Sequence, residues 1–137
     1  MIKYMLDTDI SIYIINERPV SILDTFNENA ECLCISAITL AELLHGAKKS
    51  NNPARALRRV EDFASRLHVL DYGQRAAHHY GEIKSGLERQ GVVIGPNDLH
   101  IAGHARSESL TLVTDNTSEF RRVEGLLVDN WLTGDMK

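Results

Sequence analysis

The stretch Ile2-Lys3-Tyr4-Met5-Leu6-Asp7-Thr8-Asp9 constrains this chain more than any other. A run of about five mainly apolar residues without alternation fits a strand covered on both faces, as in a parallel sheet. Asp7 then stands at the strand's carboxyl end, along the edge where open α/β sheets bind ligands. The next residues, Ile10 to Asn16, read as a buried helix with Thr8 or Asp9 as its N-cap. The ordinary alternative is that Asp7 does nothing beyond capping that helix.

The same design recurs downstream. Arg18-Pro19 breaks the pattern, and a short helix follows with Val20, Ile22, Leu23 and Phe26 at helical spacing. Cys32 to Ile35 is a second strand, and Ser36 caps a helix whose stripe is Leu40, Leu43, Leu44 and Ala47. A polar turn over Lys48 to Asn52 leads to a helix from Pro53 to about Arg66, Pro53 suiting its first turn. Val69-Leu70 is a brief strand, and Gln74 to Gln90 is a long helix ended by Gly91. Asn97 reads as the N-cap of a helix whose inner side carries Asp98, Ile101, Ala102 and Ala105. Leu110 to Thr114 and Leu126 to Val128 are the last strands, with Trp131 packing the end of the chain down. Helices alternating with short apolar strands predict a three-layer α/β/α domain with a short parallel sheet, one domain across residues 1–137.

Composition excludes several classes. A net charge of −4 does not suit nucleic-acid binding by bulk charge. The cations are local instead: Lys48, Lys49, Arg55, Arg58, Arg59 and Arg66 gather in one region, where they form either a solvated helix face or a grip on phosphates. No apolar run approaches the roughly 18 residues of a membrane span, and the start lacks the pattern of a signal peptide, so the expected location is the cytoplasm. Cys32 and Cys34 share one strand face too far apart to bridge and lack zinc spacing, which makes them reduced core or interface thiols.

Four polar elements converge in such a fold: Asp7, Glu42, Asp98, and the Asp115-Asn116 pair after the fourth strand. Each has a commonplace role, since Glu42 could face solvent and Asp98 could simply complement a helix dipole. An inward-facing Asp98 and a Glu42 hemmed by apolar neighbours argue against those roles, because lone buried carboxylates are costly. Packed carboxylates repel unless a cation neutralises them. Oxygen ligands without cysteine or histidine suit Mg²⁺ or Mn²⁺, which serve phosphoryl chemistry.

The segments Met5-Leu6-Asp7-Thr8, Ser36-x-x-Thr39-x-Ala41-Glu42-Leu43-x-x-Gly46, Gly95-Pro96-Asn97-Asp98-x-x-Ile101-Ala102-Gly103-His104-Ala105 and Leu112-Val113-Thr114-Asp115-Asn116-x-x-Glu119-Phe120 resemble the PIN-domain ribonucleases, and among them the VapC toxins of type II toxin-antitoxin modules. The resemblance spans the chain in order. It implies a Mg²⁺-dependent endoribonuclease that is held inactive by a VapB-type antitoxin, is usually dimeric, and acts on structured RNA. Within the family that RNA is notably tRNA, including the anticodon stem-loop of initiator tRNA, and its cutting stops translation and growth. By position, Asp7 and Asp98 match the principal metal ligands, Glu42 the third acid, and Thr114 the residue that steadies them. The fourth acid departs from the pattern: Asn116 stands where an acid is common, with Asp115 beside it and Glu119 a turn on. Thr8 supports the site, and Asp9, where asparagine is frequent, adds negative charge at the rim.

Two other functions compete with this one. The same carboxylates could serve a single-strand or flap DNA nuclease, because substrate choice lies in loops and basic grooves. A non-catalytic domain could use the acidic cleft only to dock a basic partner. A zinc site at His100 and His104 is disfavoured, since Asp98 lies about 200° around the helix from His100. His78 and His79 are expected at the surface.

Overall fold

Met5 and Leu6 lie next to each other on the first strand, yet both are fully buried. Successive strand residues point to opposite faces, so this strand needs cover on both sides. The computed structural model describes residues 1–132 and supplies that cover. Its strands are β1 (Tyr4–Leu6), β2 (Leu33–Ser36), β3 (His68–Leu70), β4 (Thr111–Val113) and β5 (Leu127–Asp129), ordered β3-β2-β1-β4-β5 and parallel throughout.

Helices α1 (Thr8–Asn16), α2 (Ser21–Asn29), α3 (Ala37–Lys48) and α4 (Pro53–Ser65) form one core with Leu6, Leu33, Ile35 and Val113. Helices α5 (Gln74–Arg89) and α6 (Pro96–Ser107) and the short α7 (Thr117–Phe120) form the other with Met5, Cys34 and Leu112. The uninterrupted apolar runs are therefore two interleaved half-strands, each serving its own layer. Three layers result, as the alternation of elements predicts.

The strand order also locates the cleft. From β1 the chain proceeds outward to β2 and β3 on one side, and β4 and β5 lie on the other. The two directions part between β1 and β4, and at such a switch point the strand-end loops diverge and leave a crevice. Leu6 pairs with Val113, and the Asp7 amide donates to the Val113 carbonyl at 3.0 Å. Asp7 and Thr114 thus emerge together at its floor.

Four local expectations need correction. Asp7 itself caps α1, because it is the last extended residue and its Oδ1 accepts the Ile10 N–H at 2.8 Å; Thr8 and Asp9 are already helical. Helix α1 is not wholly buried, since Ile12 remains 40% exposed on its outer side. Helix α6 starts at Pro96, with Gly95 as cap, so Asn97 lies within its first turn; proline's fixed φ suits that first helical position. Helix α7 was not anticipated, as four residues are too few to show a period. Ser36 caps α3 as expected, accepting from Ile38 N–H at 3.0 Å, and Trp131 meets the Tyr4 ring edge-on at 5.7 Å. Both cysteines are free, Cys34 buried and Cys32 partly so.

Candidate active site

Each acid enters the crevice from a different element. Asp7 comes from the tip of β1, Glu42 from the middle of α3, Asp98 from the first turn of α6, and Asp115 and Glu119 from the segment after β4. Asp7 is buried, whereas Glu42, Asp98, Asp115 and Glu119 are half-buried. Asp9 lies exposed at the rim but feels Asp115 and Glu42.

The holders of these carboxylates are specific. Thr114 and the Ile10 N–H bond the Asp7 side chain, and the Thr114 Oγ1 also accepts the Asn116 N–H at 3.0 Å. Thr8 donates to Glu42 Oε1 at 2.5 Å, and Asn97 donates to Glu42 Oε2 at 3.0 Å. Glu42 is therefore fixed at both oxygens by residues of two other helices, not released to solvent. Tyr13 donates to Asp115 Oδ2 at 2.9 Å, and Asn116 Nδ2 donates to Glu119 Oε2 at 2.9 Å.

Electrostatics shows that these groups share one field. Burial, resisted by the Thr114 and Ile10 hydrogen bonds and aided by Asp9 and Asp115, pushes the Asp7 carboxyl up to about 7. Burial, then Glu119 and more weakly Glu42 and Asp9, pushes Asp98 up to about 6. Desolvation, Asp115 and Glu42 raise Asp9 as well, and the Asp115 hydrogen bond raises Tyr13. Each shift moves an acid toward its neutral form, the response of carboxylates that are partly desolvated and, secondarily, clustered without positive charge.

Glu119 stands out among the three candidates for the fourth acid. Its Oε1 is buried and, among the described residues, has no hydrogen-bond donor; the Glu119 side chain is also near enough to Asp98 to share a hydrogen bond with it when one of the two is protonated. Asp115 is engaged by Tyr13, and the Asn116 amide is spent holding Glu119. A buried, donorless carboxylate oxygen beside a second carboxylate fits a hard divalent cation. So does a donor set made entirely of oxygens. As the side chains stand, no three His, Cys, Asp or Glu residues among the described ones are drawn tightly enough to enclose an ion. Asp7 and Glu42 are each held by their own hydrogen-bond partners, and Asp98 stands among the acids Glu119, Glu42 and Asp9.

The cationic residues lie to one side. Lys48, Lys49, Arg55, Arg58 and Arg59 are exposed. Arg59 Nη2 donates to the Ile15 carbonyl at 2.5 Å, tying α4 to the end of α1. Arg59 and Glu42 line the same cavity of about 310 Å³, so this basic helix adjoins the acidic crevice. The α6 histidines do not form a zinc pair: His100 bonds the Tyr72 hydroxyl at 2.8 Å, and His104 bonds the buried Ser36 hydroxyl. His79 accepts from Arg106 at 2.9 Å and His78 is exposed.

Asn97 and Tyr13 escaped the sequence reading. Asn97 looked like a helix cap, and only the packing of α6 against α3 gives its amide the Glu42 carboxylate. Tyr13 falls four residues after Asp9, on the same side of α1, which is the one local sign that it faces the acids.

Comparison with known proteins decides the family. Residues 4–126 match the PIN domain model. Ribonuclease VapC2 of Haemophilus influenzae is 54% identical over 96% of this chain and 100% of its own length. The chain is a PIN-domain protein of the VapC family. Another VapC relative, the tRNA(fMet)-specific endonuclease VapC of Shigella flexneri, is 51% identical over 96% of this chain and 99% of its own. A chain of the crystal structure of DNA-bound VapBC from Salmonella typhimurium superposes with a TM-score of 0.93, at 49% identity, covering 96% of this chain and 99% of that one. Among the described residues, no helix is long and apolar enough to cross a membrane.

Proposed function

We propose that this VapC-family chain is the ribonuclease toxin of a toxin-antitoxin pair, a cytoplasmic Mg²⁺-dependent endoribonuclease whose substrate is tRNA. The initiator tRNA anticodon stem-loop is the first candidate, given the substrate named for the Shigella relative. The observation that carries the reading is the gathering of carboxylates at the β1/β4 switch point, where burial first and neighbouring acids second raise Asp7 and Asp98 toward neutrality.

Asp7, Asp98 and Glu42 are the proposed ligand set, and Glu119 is the fourth acid because its buried Oε1 has no donor among the described residues. Mn²⁺ would suit the same oxygens. A divalent ion, when bound, supplies charge neutralisation, a polarised phosphate and a water of lowered pKa. The chain's own residues do the positioning. Thr114 and the α1 amide hold Asp7 at the floor, Thr8 and Asn97 hold Glu42, and Asn116 holds Glu119. Asp9 and Asp115 add negative charge around the opening. Lys48, Lys49, Arg55, Arg58 and Arg59 are the proposed contacts to RNA phosphates, set beside the acids and not among them.

A VapB-type antitoxin is the proposed partner, since similar chains occur in VapBC complexes, and a homodimer is the proposed resting assembly. The test uses purified protein with labelled tRNA, ribosomal RNA and single-stranded DNA. Mg²⁺-dependent cuts confined to RNA, lost with EDTA and in Asp98→Asn, are expected. Cutting of DNA alone would make it a DNA nuclease, and binding of a partner without any cutting would make it a docking domain. Expression without a partner should arrest growth, and harmless accumulation of folded protein would overturn the toxin assignment.

A further inference from the structure

Helices α3 and α6 each bring an acid to the crevice, yet their common anchor lies deeper. Ser36 ends β2 and caps α3, and its side chain is fully buried. His104 is in the second half of α6 and only 1% exposed. The Ser36 Oγ and His104 Nδ1 are 2.8 Å apart. His104 also bonds the backbone of Asp71 in the loop after β3.

Those contacts fix the protons. A backbone carbonyl only accepts, so the ring N–H toward Asp71 belongs to Nε2, and Nδ1 is left as an acceptor. Ser36 then donates its hydroxyl proton to Nδ1 while its oxygen accepts the Ile38 N–H at 3.0 Å. Burial pushes the His104 imidazole below the ordinary histidine range, against the opposing pull of Glu108 and the Asp71 backbone, which keeps the ring neutral in this role. Every polar atom of the link is satisfied.

The placement is what matters. Glu42 is six residues after Ser36 on α3, and Asp98 is six before His104 on α6. The link therefore joins the two helices about nine ångströms along each axis from the acid it carries, at a rise of about 1.5 Å per residue. At the crevice itself, among the described residues, these helices are tied directly by the exposed hydrogen bond from Asn97 to Glu42. On its other side α6 is pressed against α5: a Cβ on Gly103 would come within 2.9 Å of the Tyr80 amide nitrogen.

We propose that Ser36 and His104 are positioning residues that set the spacing of the Glu42 and Asp98 carboxylates by locking the start of α3 to α6. The inference rests on the metal-dependent reading above. Both side chains are buried, at the far end of their helix segments from the acids. Losing the hydroxyl-to-imidazole bond would let α6 shift or turn against α3, and the Glu42 and Asp98 carboxylates would lose their working spacing, the Asn97–Glu42 bond loosening with it.

The experiment uses the full chain and the substitutions Ser36→Ala, His104→Gln and His104→Asn. Glutamine places an amide near Nε2 and keeps the bond to Asp71 but cannot accept from Ser36. Asparagine places an oxygen near Nδ1 and keeps the Ser36 bond. Mn²⁺ affinity is read by calorimetry on the protein alone, RNA cleavage as kcat and KM, and folding by thermal unfolding. Ser36→Ala and His104→Gln should each weaken Mn²⁺ binding and lower kcat by about tenfold, the scale of an outer partner of metal ligands, with KM unchanged within about twofold. His104→Asn should recover most of both despite losing the Asp71 bond, and the Ser36→Ala/His104→Gln double variant should be no worse than either single one. Unchanged Mn²⁺ affinity in folded Ser36→Ala and His104→Gln proteins would overturn the proposal, as would His104→Asn behaving like His104→Gln. A wild-type protein that binds Mn²⁺ but cuts no RNA would sink the nuclease reading while the affinity arm still tests this link.

Discussion

The two ends of α6 obey different rules. Toward its C-terminal half, Ile101, Ala102 and Ala105 are fully buried, Gly103 lets α5 approach closely, and His104 has all its polar atoms paired. At its first turn, about 1.7 turns before His104, Asp98 is partly buried beside Glu119 in a field of like charge, and its proton is hard to remove. The difference teaches where this molecule stores instability. Carboxylates crowded at the crevice weaken the folded state, and the closely packed body of the same helix holds them there.

The sharpest way to break the contrast is to neutralise the crevice. Asp7→Asn retains an oxygen to cap α1 but removes a buried charge. Cleavage should fall by more than about a hundredfold, since several kcal/mol of charge stabilisation depend on such a ligand, while the melting temperature near pH 8 rises. The pH dependence has the same origin. Asp7 is pushed from 3.8 to about 7 and Asp98 from 3.8 to about 6 in the folded chain. The folded state thus binds protons more tightly than the unfolded one. Its extra stability is complete below about pH 4 and is lost as pH rises through 6 and 7. Melting of metal-free protein followed from about pH 5 to pH 8 should show a decline, shallower in Asp7→Asn and shallower still with Mg²⁺. A melting temperature that climbs over that range would contradict the crowding of these acids.

The opposite end of the contrast is tested by Gly103→Ala. Its Cβ would meet backbone atoms of Tyr80 at 2.9 and 3.1 Å, a clash no side-chain rotation relieves. The expected loss is about 1–3 kcal/mol, seen as a lower denaturant midpoint, and Mg²⁺ should not restore it. An intermediate effect belongs to Asn116→Ala, which removes the donor to Glu119 Oε2. Metal affinity should drop about tenfold with little change in melting temperature; titration calorimetry with Mn²⁺ reads it. The smallest effect is expected from Arg58→Gln on the exposed face of α4. Among the described residues Arg58 makes no ion pair. RNA affinity should weaken a fewfold, with a reduced salt slope and kcat unchanged.

Much of this architecture was legible in local pattern. The apolar runs at β1 and β4 predicted buried strands, and the two cores divide them residue by residue, as they divide β2. Ser36 and Pro53 marked helix starts correctly, and Gly91, at φ +70°, sits where only the left-handed region ends α5. Asp7 was legible as an acid at a strand end. Its second role as the α1 cap was visible only as the competing explanation, and the two roles turned out to coexist.

What the sequence determined by itself was periodic: which segments are strands or helices, how many layers they need, and which acids the topology sends to one edge. Tertiary structure alone decided which partner each polar atom takes. The sequence left Asn116 at the place of the fourth acid with Asp115 and Glu119 as its substitutes, and the fold separates them: Tyr13 engages Asp115, Asn116 acts as a clamp, and Glu119 keeps a buried oxygen without a donor among the described residues. Asn97, His100 and His104 were likewise assigned by neighbours far off in the chain. The physical reason is range. Backbone propensity and burial period repeat within a few residues, whereas a hydrogen bond is won by whichever group the packing brings within about 3 Å.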